Sequence, residues 1–135
     1  MGKIYVIGIG PGSERDLTIG ARDILGKVDV VVGYKYYFQF VAHYLQPDAE
    51  CVDTGMRQET ARAREAFRFA DEGKEVAVIS SGDAGIYGMA PLIYEMAEEL
   101  KSTIEIEVLP GISAFQTAAS ILGACLLYTS DAADE

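Results

Sequence analysis

The chain has 135 residues, half of them hydrophobic, and a formal net charge of −10 at pH 7. That length corresponds to about one domain with enough apolar sequence to bury a core. The negative net charge argues against a nucleic-acid partner. Two cysteines and one histidine provide neither a disulfide framework nor a Cys/His metal centre, and no apolar run is long enough to cross a bilayer.

The first half of the chain alternates predicted strands and helices. We expect a strand at 3–9, a helix at 17–27, a valine-rich strand at 29–33, an aromatic-rich helix at 36–46 and a short strand at 50–54. Cys51 lies in the last of these apolar stretches and is expected in the core. His43, beside Phe40 and Tyr44, is expected to be a structural residue.

The second half continues the alternation. We expect a helix at 59–72, a strand at 75–80, an amphipathic helix from Met89 to Leu100, a strand at 105–109 and a small-residue helix at 113–123. The first of these helices places one apolar face at Ala63, Ala66, Phe67 and Ala70. The pattern as a whole predicts an α/β fold: one parallel-rich sheet of about five strands with flanking helices.

Three glycine-rich turns follow three of the predicted strands. They are Gly10-Pro11-Gly12, the segment Gly82-Asp83-Ala84-Gly85-Ile86-Tyr87-Gly88, and Pro110-Gly111-Ile112-Ser113-Ala114. Because the carboxyl ends of parallel strands meet at one edge of a sheet, these turns are expected to form one ligand site. Glycine lets backbone approach a ligand closely, so the site should bind through main-chain groups and apolar contacts.

The densest basic cluster consists of Arg57, Arg62, Arg64 and Arg68. We interpret the arginines within the predicted helix as a solvated face. Arg57 precedes that helix and lies on a loop at the sheet edge.

Three familiar nucleotide-binding and hydrolase motifs are incomplete or absent in this sequence. The stretch from Gly8 to Ser13 approaches the dinucleotide fingerprint, but Ser13 replaces the last glycine and Pro11 removes a backbone donor. No phosphate-binding Gly-Lys-Ser/Thr and no G-x-S-x-G elbow is present. A non-catalytic α/β module that binds a nucleotide-like ligand stays open as an alternative.

Three motifs together resemble the signatures of the tetrapyrrole methylases, which are S-adenosylmethionine-dependent enzymes of the corrin and sirohaem pathways. They are Gly8-Ile9-Gly10-Pro11-Gly12, the run from Ser80 to Ala90, and Pro110-Gly111-Ile112-Ser113-Ala114. Within the family, the runs Val31 to Tyr37 and Gly55 to Glu59 resemble members that methylate C-17 of precorrin-3B or cobalt-precorrin-3 and contract the ring. A methylase of the precorrin-4 type is the alternative within the family.

The resemblance implies a set of site residues. The residues implied to contact S-adenosylmethionine, the methyl donor, are Pro11, Ser81, Gly82, Asp83, Ile86, Ser113 and Ala114. Tyr34 is implied as a hydrogen-bonding residue and Arg57 as a partner of a precorrin carboxylate; no catalytic acid or base and no metal is assigned. Asp83 has a second interpretation, as a cap of the following helix. Methyl transfer chiefly requires that an activated methyl group be aligned with a nucleophilic carbon.

Family members are homodimers that hold the cofactor between two domains, and the sequence shows no secretion signal, so a cytoplasmic location is expected. Residues 125–135 resemble the translation of a sequencing-library adapter, joined where family members continue. We therefore expect residues 1–124 to be the N-terminal domain of a cytoplasmic enzyme that is a homodimer at full length. The 135-residue chain by itself is expected to have little or no methyltransferase activity.

Overall fold

A computed structural model describes residues 2–123, so the prediction for 125–135 lies outside the described residues. Five strands form one sheet: β1 (Lys3–Gly8), β2 (Val30–Val32), β3 (Glu50–Val52), β4 (Glu75–Ser80) and β5 (Glu105–Leu109). Their order across the sheet is β3-β2-β4-β1-β5, and each neighbouring pair is parallel. The predicted fold class is confirmed.

Helices connect these strands. They are α1 (Ile19–Leu25), α2 (Lys35–Phe38), α3 (Glu59–Asp71), α4 (Ala90–Leu100) and α5 (Ala114–Leu122), with 3₁₀ turns at Glu14–Asp16 and Ala42–Tyr44. No helix within residues 2–123 is long and apolar enough to span a membrane.

The predicted helix at 36–46 is wrong in extent. Only α2 is α-helical there, and a separate 3₁₀ turn follows it. Aromatic and β-branched residues lose side-chain freedom in a helix, so this segment has little intrinsic helical preference. Packing decides its path instead: Tyr36 contacts both Tyr37 and Phe40 edge to face, and Val41 is fully buried against the sheet.

The two faces of the sheet carry separate apolar clusters. On one face, α3 and α4 cover Ile4, Val6, Val30, Val32, Val76 and Val78. On the other, α1 and the aromatic segment cover Tyr5, Ile7, Val31, Ala77 and Ile79. The strands therefore bury both faces, as a parallel sheet requires. The predicted apolar face of α3 is buried and thus confirmed.

Cys51 is exposed, so its predicted place in the core is wrong. It lies on β3, which pairs only with β2 and forms one edge of the sheet. Hydrophobic residues on a strand indicate a sheet but do not tell whether a helix covers that position. At this edge, the covering helices do not reach the thiol.

The connections create a crevice at the carboxyl edge of the sheet. After β1 the chain passes to α1 on one face, and after β4 it passes to α4 on the opposite face. The strands β1 and β4 are neighbours. Diverging connections between adjacent parallel strands leave a gap at their carboxyl ends, which is where open α/β sheets bind ligands.

Candidate functional site

Direct backbone hydrogen bonds join the loops after β1 and β4. The amide of Gly10 donates to the carbonyl of Gly82 at 3.0 Å, and the amide of Gly82 donates to the carbonyl of Gly10 at 2.8 Å. Both residues have positive φ, at 74° and 69°. Such φ values disfavour residues with a Cβ, so glycine at both positions permits the pairing.

The loop after β5 packs against the same two loops. A Cβ at Gly111 would lie within 3.0 Å of the carbonyl oxygens of Gly8 and Gly82. Backbone therefore touches backbone at this point. The three glycine turns form one unit, as the sequence predicts, and we call it the loop triad (residues 8–12, 80–88 and 110–114).

Asp83 holds two members of the loop triad together. Its Oδ1 accepts from the amide of Gly111 at 2.9 Å, while Oδ2 accepts from the amides of Gly85 at 2.8 Å and Ile86 at 3.2 Å. Partial burial raises the pKa of this carboxyl, but the backbone donors outweigh burial and hold it below its usual range. Asp83 is therefore an ionised acceptor that shapes the site.

A cavity of about 310 Å³ lies between the second and third loops of the triad, and we call it the loop cavity. Its lining consists of Ser81, Gly82, Asp83, Ile86, Tyr87, Ser113, Ala114 and Phe115. All the predicted cofactor residues except Pro11 are among them. The volume is at the lower end of the range for small-molecule sites.

Ser113 shows why part of this lining is rigid. The residue is 3% exposed; its side chain accepts from the amide of Gln116, while the Gln116 side chain accepts from the amide of Ser113. This reciprocal capping box fixes the start of α5. Ala114 follows immediately and so presents a defined wall to the loop cavity.

A second cavity of about 360 Å³ adjoins the first, and we call it the arginine cavity. Its lining includes Tyr34, Tyr37, Met56, Arg57, Glu59, Arg62, Ile79, Ser80, Ser81, Tyr87, Gly88 and Met89. Both predicted substrate residues, Tyr34 and Arg57, are in it. Ser81 and Tyr87 line both cavities, so the two spaces share a wall.

Pro11 is the predicted site residue that the structure leaves apart. It is exposed and lines neither cavity. Its contact to a cofactor stays a prediction.

Sequence reasoning missed Tyr87. This residue has a positive φ of 57° and a fully exposed side chain. A bulky residue in the left-handed region is uncommon and occurs where the surrounding structure imposes it. The glycines at 85 and 88 were the available signal, since they allow the turn that presents Tyr87 between the two cavities.

Arg62 corrects the prediction of a solvated arginine face. It is 7% exposed, whereas Arg64 and Arg68 on the same helix are exposed. The physical reason is helical spacing: Arg62 lies one residue before Ala63 and four before Ala66, within the stripe that faces the sheet. Spacing was thus a usable signal for its burial.

The loop between β3 and α3 is organised around Asp53 and Arg62. Oδ1 of Asp53 accepts from the amides of Lys35 and Gly55, each at 3.1 Å, and Nη2 of Arg62 donates to the carbonyl of Gly55. Arg57 follows with a left-handed φ of 60°. These contacts position Arg57 at the cavity.

Residues 2–123 contain no cluster of three or more His, Cys, Asp or Glu side chains placed to hold a metal ion. The polar groups of the two cavities are donors (backbone amides and two arginines), acceptors (backbone carbonyls and two carboxylates) and hydroxyls, which do both. Such a set suits an organic ligand that carries polar groups and apolar surface.

The fold and its two cavities define an α/β protein with a candidate small-molecule site at the carboxyl edge of its sheet. The family model described as Tetrapyrrole (Corrin/Porphyrin) Methylases matches residues 3–133, so the chain belongs to the tetrapyrrole methylase family.

Two curated relatives place it more closely. The chain is 46% identical over 131 residues to the cobalt-factor III methyltransferase of Priestia megaterium, covering 94% of this chain and 24% of that protein. It is 45% identical over 125 residues to the probable cobalt-factor III C(17)-methyltransferase of Salmonella typhimurium, covering 93% and 52%. The chain thus spans about half of one relative and a quarter of the other.

Solved structures share the fold. The methyltransferase CobJ superposes with a TM-score of 0.85 at 36% identity, over 92% of this chain and 52% of that one. A uroporphyrin-III C-methyltransferase from Thermus thermophilus, complexed with S-adenosylhomocysteine, gives a TM-score of 0.72 at 27% identity, over 87% and 52%.

Proposed function

We propose that the chain is part of an S-adenosylmethionine-dependent C-methyltransferase of cobalamin biosynthesis, of the precorrin-3B C-17-methyltransferase type. The reaction would methylate C-17 of precorrin-3B or cobalt-precorrin-3 with ring contraction. The names of the two relatives support this assignment. The observation that carries it is the pair of adjoining cavities, one lined by the predicted cofactor residues and the other by the predicted substrate residues.

The loop cavity fits the methyl donor chemically. When bound, S-adenosylmethionine supplies a sulfonium-activated methyl group. Backbone at Ser81 and Ala114 offers polar groups close to the ligand, Gly82 adds no side chain to the wall, and Ile86 offers apolar contact. Ionised Asp83 lowers the electrostatic potential around a cationic ligand, since its pKa lies below its usual range.

In this proposal the shared wall determines where the methyl donor and the macrocycle meet. A ligand in the loop cavity and a macrocycle in the arginine cavity meet at Ser81 and Tyr87. Holding both partners across one wall removes much of the entropy that a bimolecular encounter would require.

Titration calorimetry with S-adenosylhomocysteine tests the proposal directly on the 135-residue chain. We expect saturable binding that competes with S-adenosylmethionine. Ala114→Leu fills the loop cavity and should abolish it, whereas Ala118→Leu, on the same helix but outside the cavity lining, should leave it intact. Tighter binding of NADH than of S-adenosylhomocysteine would instead favour the nucleotide-binding module.

The proposal extends to the whole protein. Because the chain spans only 24% and 52% of its relatives, we expect binding without methyl transfer from the 135-residue chain. Family resemblance supports a cytoplasmic homodimer. Exposed apolar residues on α5, Phe115, Ile121 and Leu122, are compatible with further covering of that helix. Turnover by the chain alone would refute the expectation of inactivity.

A further inference from the structure

Arg62 is a buried cation that has no counter-ion among residues 2–123. Its guanidinium lies over the ring of Tyr34 at 5.7 Å from the centroid, and Nη2 donates to the carbonyl of Gly55. Its Nε is buried and has no hydrogen-bond partner among the described residues. Within residues 2–123 no carboxylate forms an ion pair with Arg62, although Glu59 lines the same cavity.

Such an arrangement is unfavourable for the fold taken alone. Burying a charge without a compensating partner destabilises the folded state, and an apolar residue of similar volume is often as stable or more so. A chain with 21 Asp and Glu residues and a net charge of −10 has no shortage of carboxylates, yet none of those in residues 2–123 pairs with Arg62. The missing anion is therefore expected to come from a ligand.

The surroundings of Arg62 orient it for that purpose. The Gly55 carbonyl and the Tyr34 ring restrain the guanidinium on two sides. Arg57 lines the same cavity as Arg62. A planar guanidinium matches a carboxylate in geometry and can bind it through two parallel hydrogen bonds. Restraint before binding reduces the entropy lost when the ligand arrives.

We propose that Arg62, together with Arg57, forms a carboxylate-binding subsite in the arginine cavity that receives one acid side chain of the macrocycle. This inference rests on the proposed function. Arg62 acts as a specificity-determining residue: it selects side chains that end in carboxylates over those that end in amides. The bound carboxylate then fixes the rotation of the ring relative to the wall formed by Ser81 and Tyr87.

The test compares the affinity of the 135-residue chain for two stable corrins, with quenching of tyrosine fluorescence as the measure of binding. Side chains of cobyrinic acid end in carboxylates, whereas the corresponding side chains of cobinamide end mostly in amides. We expect wild type to prefer cobyrinic acid, and Arg62→Met to bind it about 10- to 100-fold more weakly. Arg64→Met is the matched control, since Arg64 is exposed on the same helix.

Stability provides a second readout. If Arg62 serves a ligand, Arg62→Met should unfold close to the wild-type temperature, because removing a buried unpaired charge offsets the lost hydrogen bond to the Gly55 carbonyl, while its preference for the acid disappears. Should that variant not fold, Arg62→Lys takes its place, because it keeps the charge and loses the planar fork. Arg62→Lys is expected to bind cobyrinic acid several-fold more weakly than wild type.

The remaining outcomes separate this inference from the proposed function. Equal affinity of wild type and the folded Arg62 variants for cobyrinic acid would overturn the subsite and leave the methyltransferase proposal standing. Binding of S-adenosylhomocysteine without any binding of cobyrinic acid would likewise overturn the subsite and leave the methyltransferase proposal standing. Failure of wild type to bind S-adenosylhomocysteine counts against the proposed function itself.

Discussion

Replacing Asp83 tests whether one carboxylate holds the loop triad together. Asp83→Ala removes three hydrogen bonds, of which the one from Gly111 is partly buried and those from Gly85 and Ile86 are exposed. A hydrogen bond to a charged group contributes about 1.5–3 kcal/mol, and leaving a buried amide unpaired adds to the loss. Water can replace the carboxylate at the exposed amides, so we expect a total loss of about 2–4 kcal/mol.

Asp83→Asn gives a finer version of the same experiment. The amide keeps one acceptor oxygen, so it cannot satisfy Gly111 on one side and both Gly85 and Ile86 on the other. We expect the free energy of unfolding to fall by about 1–2 kcal/mol at pH 7. Asp48→Asn, an exposed residue in a turn, is the matched control and should change stability by less than about 0.5 kcal/mol.

The pH dependence follows from the direction of the pKa shift. Asp83 has a lower pKa in the folded protein than its usual value, so its ionised form stabilises the fold. That contribution is complete above about pH 4 and is lost as the pH falls through the folded-state pKa. Urea denaturation of wild type and Asp83→Asn, followed by circular dichroism, should show a difference at pH 7 that narrows towards pH 3.

Two results would refute the reasoning about Asp83. An Asp83→Ala variant as stable as wild type would mean that the loops hold their conformation without the carboxylate. A difference between wild type and Asp83→Asn that widens on acidification would mean that the ionised form destabilises the fold.

Two further substitutions test the backbone geometry, with urea denaturation as the measurement. Gly111→Ala should lower the free energy of unfolding by about 2–4 kcal/mol, since its Cβ would meet two backbone carbonyls. Gly20→Ala in α1 is the control, because the new Cβ would make only an ordinary contact with Leu109 Cδ2 at 3.8 Å. This variant should raise the free energy of unfolding by about 0.5–1 kcal/mol. Lys101→Gly should raise it by about 0.5–1 kcal/mol, because Lys101 ends α4 with a left-handed φ of 51°. Unchanged stability for Gly111→Ala, or a loss for Lys101→Gly, would contradict these expectations.

Much of the fold could be predicted from local patterns. The strands at 75–80 and 105–109 were predicted with the bounds they have in the structure, and the apolar face of α3 was identified from its spacing. Short segments rich in β-branched residues and a helical period of apolar residues are local signals, so they can be recognised without knowing which segments pack against them. The grouping of the three glycine turns was predictable as well, because parallel strands end at one edge.

The sequence by itself therefore determined the alternation of elements, the parallel sheet and the edge at which the site lies. Tertiary structure decided the strand order, the exposure of Cys51 on the edge strand, and the division of the predicted site residues other than Pro11 between two cavities. It also decided that Arg62 is buried beside Tyr34 rather than solvated. Periodicity specifies which side chains share a face, but what lies opposite that face depends on segments distant in the chain.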